Sequence, residues 1–392
     1  MSAPSLNPLL TPEGAKLLAS LPPYAAKEAE QLARSLRSQG HSADLVAAAL
    51  TQQRLRLKAE DKFGDAAARM LFTEDGLQQA TRSFVAQLHA NRYVAAGCNS
   101  VLDMTCGIGA DALAFAQAGL SVTAVELDPR SAAFAAHNLS PFTKAKVVQG
   151  DSLLIDPADF DGVFADPARR NARGRTFNPK DYAPPLGSIL ELRSSAPNLG
   201  VKVAPGVPYS AIPTDASAEW VSVDGSVVEA GLWFGALADR PGRCALVVRG
   251  DESGQLWAGP DPSAPPPMLA PAPIGKYLYS PDGAVIRSGG IASLAKLLEA
   301  SPVSDRIAYL SGDRLVETLF ATAFEVLEAL PLKKLKGRLR DLDVGSLEIL
   351  KRGVDVDPDR FRAGLKLKGS GSATVILTRL LGKHSAVLAT RV

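Results

Sequence analysis

The 392 residues suffice for two or three domains with sizeable cores, and a content of 46% hydrophobic and 21% charged residues describes a globular chain, not a disordered or fibrous one. No apolar run reaches the length of a membrane span, and the opening stretch MSAPSLNPLLTPEGAKLL has no basic segment leading into an apolar one, so the expectation is a cytoplasmic protein with no membrane partner. Three widely spaced cysteines and four scattered histidines offer neither a disulfide framework nor a metal knuckle, and no metal is expected.

The net charge of +2 hides an asymmetry. Residues 331–392 hold 14 Lys and Arg against 6 Asp and Glu, a net of +8 that leaves −6 for the rest of the chain. A basic tail of this kind points to a polyanion partner, with a solvated basic face as the plain alternative.

From about Thr11 to Tyr93 apolar residues recur every three or four positions, with Thr11, Ser42 or Asp44 as N-caps and glycines as stops, which predicts an N-terminal helical domain over 1–92. The period then changes. SVLDM (100–104), SVTAVEL (121–127), AKVVQG (145–150), GVFA (162–165) and GVKVAP (200–205) read as short buried strands, with helical runs between them. Strand and helix alternating at this pitch predict right-handed βαβ units and a parallel, Rossmann-like α/β sheet over 93–258. EWVSVDGSVVEAGLWFGAL carries an Asp-Gly turn suited to a hairpin. A Pro-rich stretch, GPDPSAPPPMLAPAPIG, opens a connector and linking segment over 259–300. Strand-like RIAYL, TAFEVLEAL, SLEILKRG, ATVILTRLL and SAVLATRV, with helical LKKLKGRLRDL and DPDRFRAGL among them, predict a C-terminal α+β module over 301–392.

The most informative stretch is VLDMTCGIGADALAFAQAG. A strand ends at Asp103, a loop containing Gly107 and Gly109 follows, and a helix begins near Ala110, a geometry that lets a ligand approach the backbone at a helix N-terminus. Gly107 to Ala112 also satisfies the dinucleotide pattern GxGxxA, so the glycines alone leave NAD open. The flanking acids narrow the choice. Glu126, closing the second strand, can accept ribose hydroxyls; Asp151, after the third, can accept an adenine amino group; Asp103 suits a cationic amino-acid end. Such a crevice suits S-adenosylmethionine, which has a ribose, an adenine and a cationic amino acid but no phosphates that need basic residues to neutralise them.

VLDMTCGIGADALAFA, VTAVELDP and VVQGDS, over about residues 98–155, resemble the first three signature motifs of class I S-adenosylmethionine-dependent methyltransferases. LFTEDGLQQATRSFVAQLHANRYVAAG before the sheet and SLEILKRGVDVDPDRFRAGLKLKGSGSATVILTR near the end extend the likeness. Together they resemble a methyltransferase family with a C-terminal THUMP-like domain, similar to RNA cap guanine-N2 methyltransferases. The resemblance implies S-adenosylmethionine as cofactor, held by Asp103, Gly107, Gly109, Glu126 and Asp151, with Phe72, Thr73 and Gln79 closing over it. It also implies a structured RNA, tRNA or rRNA, as partner, gripped by an RNA-binding terminal module.

In this fold the fourth strand ends beside the transferable methyl group, where enzymes acting on exocyclic amines place Asp, Asn or Ser, two prolines and an aromatic. Asp166-Pro167-Ala168-Arg169 is similar at its first two positions, which makes Asp166 and Pro167 the candidate catalytic residues; an ordinary Asp-Pro turn is the competing reading. Ala168 and Arg169 depart from the pattern, so guanine N2 is the first choice of acceptor, with adenine N6, a ring nitrogen, or a protein or small-molecule amine open. Arg169, Arg170, Arg173 and Arg175 beside this turn, and Lys333, Lys334, Lys336, Arg338, Lys351 and Arg352 in the terminal module, are candidate phosphate contacts. A non-catalytic RNA-binding or assembly factor that retains the fold is the alternative from another class.

Overall fold

The computed structural model describes residues 7–168, 170–171, 174–175 and 178–392, and of 170–171 and 174–175 the backbone only. Two compact units emerge, one comprising the chain up to Lys202 together with Trp233–Leu237, the other Val203–Leu232 with Ala238–Val392.

The first unit opens with helices α1 (Pro12–Ser20), α2 (Ala29–Ser38), α3 (Ala43–Phe63), α4 (Glu74–Gln79) and α5 (Ser83–Ala95). Thr11 caps α1, its hydroxyl accepting the Gly14 N–H at 3.1 Å with Pro12 in the first turn, and Ser42 caps α3 by accepting from the Leu45 N–H at 3.3 Å. Alternation then sets in: β1 (Ser100–Asp103), α6 (Ala110–Gln117), β2 (Ser121–Glu126), α7 (Pro129–Leu139), β3 (Ala145–Gln149) and β4 (Gly162–Ala165), followed by a strand at Leu199–Val203. These strands pair in parallel, β1 lying between β2 and β4, β3 outside β2, and Leu199–Val203 outside β4. The chain leaves β1 in one direction for β2 and β3 and crosses to the other side for β4, and that reversal opens a crevice at the C-terminal strand ends.

The helices are not a separate domain ending at residue 92. Leu55, Phe63, Phe72 and Tyr93 share one buried core with Val101, Phe115 and Phe164. Tyr93 reaches the sheet directly, its hydroxyl donating to the Val163 carbonyl at 2.6 Å while its ring meets Phe115 edge-on. A side chain at Gly162 would lie 2.6 Å from that ring, so the close fit of helix and strand depends on glycine there.

In the second unit the Asp-Gly hairpin joins Ser217–Val223 to Ser226–Trp233, with Asp224 at φ 47° and Gly225 at φ 79°, the positive values that a two-residue turn of this kind demands. The expected connector over 259–300 is corrected in its second half. The Pro-rich stretch 260–276 lacks helix and strand, but Tyr277–Pro281 is a strand between Leu310–Gly312 and Ala321–Pro331, and helices Gly283–Arg287 and Ile291–Leu298 follow it. Leu278 and Tyr279 are fully buried, which draws this segment into the fold. RIAYL is likewise not a strand until Leu310, since Arg306 takes the left-handed φ of 56°. Beyond Ala321–Pro331 that sheet continues through Lys383–Arg391, Gly371–Leu380 and Val344–Lys351, and helix Leu335–Asp341 buries Leu335 and Leu339 against it.

Candidate active site

Asp103 ends β1, Glu126 ends β2, Asp151 follows β3 and Asp166 follows β4, so adjacent parallel strands bring four carboxylates to one edge. A cleft of about 660 Å³ runs along that edge; Gly107, Glu126, Asp151 and Asp166 line it, together with Thr73 and Gln79 of the segment around α4.

The Gly107 backbone, at φ 56°, has no atom within 4 Å of where a Cβ would stand, so a ligand can approach it closely. Its N–H donates to Glu126 Oε2 at 2.9 Å, and the Asp128 N–H donates to Oε1 at 2.8 Å. Each carboxylate oxygen keeps a second lone pair for a hydroxyl. Asp151 is exposed and accepts the Leu153 N–H on Oδ1 at 3.0 Å, which caps the short turn Ser152–Leu154.

Asp103 lies behind this surface, fully buried. Oδ1 accepts the Thr105 N–H at 3.2 Å, and Oδ2 has no hydrogen-bond partner among the described residues. Burial pushes its carboxyl well above the usual carboxylate range, the nearby Asp111, Asp166 and Glu126 add to the shift, and the Thr105 N–H opposes it. An orphaned buried carboxylate oxygen, an open glycine backbone and strand-end acids fit the amino-acid and ribose ends of S-adenosylmethionine.

Two sequence candidates sit elsewhere. Phe72 does not close over the cleft: it is 0% exposed, its ring packs 5.6 Å from that of Phe63, and its backbone exchanges hydrogen bonds with the Gln52 side chain. Gly109 is the N-cap of α6 at φ 87°, where a Cβ would come within 3.5 Å of Ala135; it shapes the loop from behind. Thr73 caps α4 through the Gly76 N–H at 2.9 Å.

Asp166 is fixed by its surroundings. Its N–H donates to Thr105 Oγ1 at 2.7 Å, and Oδ2 accepts from Lys202 Nζ at 2.8 Å. Strand register explains the pair. Phe164 stands beside Gly200 and Ala165 beside Val201, so the next positions along the two strands are Asp166 and Lys202. Lys202 Nζ also donates to Thr81 Oγ1 at 2.8 Å, the Thr81 hydroxyl donates to Asp111 Oδ2 at 2.6 Å, and Asp111 Oδ1 lies 2.8 Å from His89 Nδ1. Burial alone would raise the Asp111 carboxyl, but the hydrogen bond and charge of His89, with Lys202 and Thr81, outweigh it and hold the group below its usual range. The His89 ring rests 5.3 Å from Phe164 and 5.4 Å from Trp233.

Sequence reading missed Lys202, Thr81, Asp111 and His89. A signal existed, since Lys202 is the one charge in the strand run GVKVAP and Asp111 interrupts the apolar GADALAFA. Tyr182, Pro184 and Pro185 were missed too; Ala183 pairs by backbone hydrogen bonds of 2.9 and 3.0 Å with Ala168, which brings this segment onto the cleft beside Asp166.

Of the basic candidates, Arg169 and Arg173 lie outside the described residues, and Arg170 and Arg175 are described only as a backbone pair in a two-strand ribbon. In the terminal module Lys333 and Lys334 are exposed. Lys336 Nζ donates to the Gly364 carbonyl at 3.1 Å and Arg338 Nε to Glu328 at 2.6 Å. Lys351 donates to the Val356 carbonyl. Arg352 is corrected as a phosphate candidate: it donates to the Ala308 carbonyl and its guanidinium sits 4.7 Å above the Tyr309 ring, inside the module.

The fold and the cleft together define a class I methyltransferase architecture. Relatives of known class match most of the chain: an uncharacterized S-adenosylmethionine-dependent methyltransferase in each of two strains of Mycobacterium tuberculosis, CDC 1551 / Oshkosh and H37Rv, is 34% identical over 340 residues, covering 83% of this chain and 90% of the relative. The chain belongs to the S-adenosylmethionine-dependent methyltransferases, and S-adenosylmethionine is its cofactor. A family model described as THUMP domain-like matches residues 321–391, and one described as a domain of unknown function matches residues 3–59. A solved structure from Porphyromonas gingivalis W83, provisionally assigned as a methyltransferase, shares the fold at 19% identity with a TM-score of 0.73, covering 94% of this chain and 99% of its own.

Proposed function

We propose that this methyltransferase modifies an exocyclic amine of a base in structured RNA, tRNA or rRNA, with guanine N2 as the first choice of acceptor. The observation that carries the reading is Asp166, a strand-end carboxylate lining the same cleft as Gly107, Glu126 and Asp151. The THUMP domain-like match and the exposed Lys333 and Lys334 support RNA as the substrate class.

S-adenosylmethionine, when bound, supplies an electrophilic methyl carbon on a positively charged sulfur. Asp103, Gly107, Glu126 and Asp151 hold it, together with Thr73 and Gln79. An exocyclic amine is a poor nucleophile because its lone pair is delocalised into the ring. The Asp166 carboxylate accepts one N–H of that amine and the Pro167 carbonyl the other, which favours the pyramidal nitrogen and aims its lone pair. Asp166 then takes up the proton that the methylated nitrogen sheds. A base within a helix has to be flipped out to reach the cleft.

The test is transfer of labelled methyl groups into size-fractionated RNA from a strain lacking the protein. Wild type should label one RNA class, and Asp166→Ala should lower the rate by about 10²-fold or more. Absence of label in every RNA fraction by a protein that binds the cofactor would overturn the RNA reading.

A further inference from the structure

Lys202 is a buried ammonium on an otherwise apolar strand, its side chain 7% exposed, and a charge in that position is retained only where partners compensate it. Its partners join two walls of the cleft. One is Asp166, on the acceptor side. The other is Thr81, which lies just beyond α4 and lines the cleft, as does Asp111 at the start of α6. Asp166, Lys202, Thr81, Asp111 and His89 thus form a continuous chain of contacts of 2.6–2.8 Å, ending in a ring packed against both Phe164 and Trp233.

We propose that Lys202 is a positioning residue for methyl transfer: it holds the Asp166 carboxylate ionised and in place, and through Thr81 and Asp111 it couples that placement to the wall that receives the cofactor. This inference rests on Asp166 being the acceptor-side carboxylate. Strand register sets Lys202 against Asp166, and the Thr105 hydroxyl holds the Asp166 backbone from the β1 side, so the carboxylate is anchored at both ends. Three acids crowd the same edge, Asp103 from β1, Glu126 from β2 and Asp111 from α6. Lys202 is the cation in direct contact with Asp166 among the described residues, with His89 behind Asp111, Lys62 near Lys202, and Arg82 near Lys62. Without the ammonium, Asp166 would lose its 2.8 Å cationic partner beside those acids, and the proton would stay on the carboxyl to higher pH. A protonated carboxyl accepts the amine N–H poorly and cannot take up its proton.

The experiment compares the full-length wild type, Lys202→Met, Lys202→Arg and Thr81→Val in three measurements: the pH profile of methyl transfer, calorimetric affinity for S-adenosylhomocysteine, and 13C NMR titration of the Asp166 carboxylate, assigned with Asp166→Asn. Lys202→Met should raise the carboxylate titration and the acid limb of the rate profile by about one pH unit or more, and lower the rate by about tenfold, with Lys202→Arg restoring much of both. Thr81→Val, which spares the ion pair but cuts its tie to Asp111, should lower rate and S-adenosylhomocysteine affinity together. An Asp166 titration and acid limb unmoved in Lys202→Met would reduce Lys202 to a core residue and sink the proposal. Should Lys202→Met fail to fold, a wild-type rate and a wild-type S-adenosylhomocysteine affinity in Thr81→Val would sink it equally. If wild type transfers methyl to no RNA, the proposed function fails on its own, while the NMR titration still decides whether Lys202 governs Asp166.

Discussion

Asp103 shows what a buried carboxyl costs the fold at the place proposed for the cofactor's amino-acid end. Its raised folded-state pKa means that the folded protein holds a proton that the unfolded chain releases near pH 4. Stability from this group is therefore greatest in acid and is lost as pH climbs through the window above its ordinary value. Asp103→Asn, which does not titrate, should gain about 1–2 kcal/mol over wild type in unfolding experiments at neutral pH. The same substitution should weaken cofactor binding at least tenfold, because a cationic amino group selects the ionised carboxylate. Wild-type calorimetry in buffers of different ionisation enthalpy should register proton release on cofactor binding; a buffer-independent heat would contradict the assignment. The residue itself was legible, since an acid at the end of the first strand is where such a site needs one. Its orphaned oxygen was not, because only packing decides which side of a carboxylate faces solvent. Phe72 failed for the same reason, an aromatic beside the cleft in sequence that packs into the core.

At the scale of elements, the short helix α4 contributes to the lining of the cleft, and α3 holds it at both ends. Arg54, Lys58 and Lys62 recur every fourth residue along one face of α3. Arg54 and Lys58 pair with Glu74 at 2.7 and 3.3 Å, and Lys62 Nζ donates to the carbonyls of Leu77, Gln78 and Ala80, which satisfies the C-terminal end of α4. Burial, with Arg82 and Lys202 nearby, lowers the Lys62 ammonium to about 8. The unfolded chain keeps that proton to about 10.5, so stability relative to Lys62→Met should be lowest below pH 8 and rise across that window. Contact of the ammonium with solvent limits the rise to about 1–2 kcal/mol. Chemical denaturation of both proteins from pH 7 to 10.5 measures it, and parallel curves would refute it. The helices themselves were evident in the three-to-four-residue period. What each helix faces was not, because a basic stripe reads in sequence as a wetted surface until the helix across from it is seen.

For the molecule as a whole, basic composition and basic surface are different quantities. The excess of Lys and Arg beyond residue 330 was visible at once, yet part of it is spent inside the terminal module, where Arg352 stacks on Tyr309 and Arg338 pairs with Glu328. Lys333→Glu with Lys334→Glu should reduce RNA affinity and flatten its log–log salt dependence by about 2, whereas Arg352→Ala should lower the melting temperature first. Affinity titrations at several salt concentrations, beside melting curves, separate the two; an unchanged salt slope in the double variant would remove those lysines from the RNA surface. The alternation of strand and helix was open to sequence reading because local periodicity encodes it. The limits of the compact units were not, because the core that merges the N-terminal helices with the sheet is built from residues far apart in the chain.

The pairing of Asp166 with Lys202 is set by two neighbouring strands, not by the chain that runs between them. The connection between those strands leaves and rejoins a fixed frame, and among its described residues Tyr182 to Pro185 lie on the cleft. Such a connection can be lengthened, shortened or exchanged while the acid and its partner lysine stay in step. Substrate preference can then drift among descendants of one ancestor without the chemistry having to be reinvented each time.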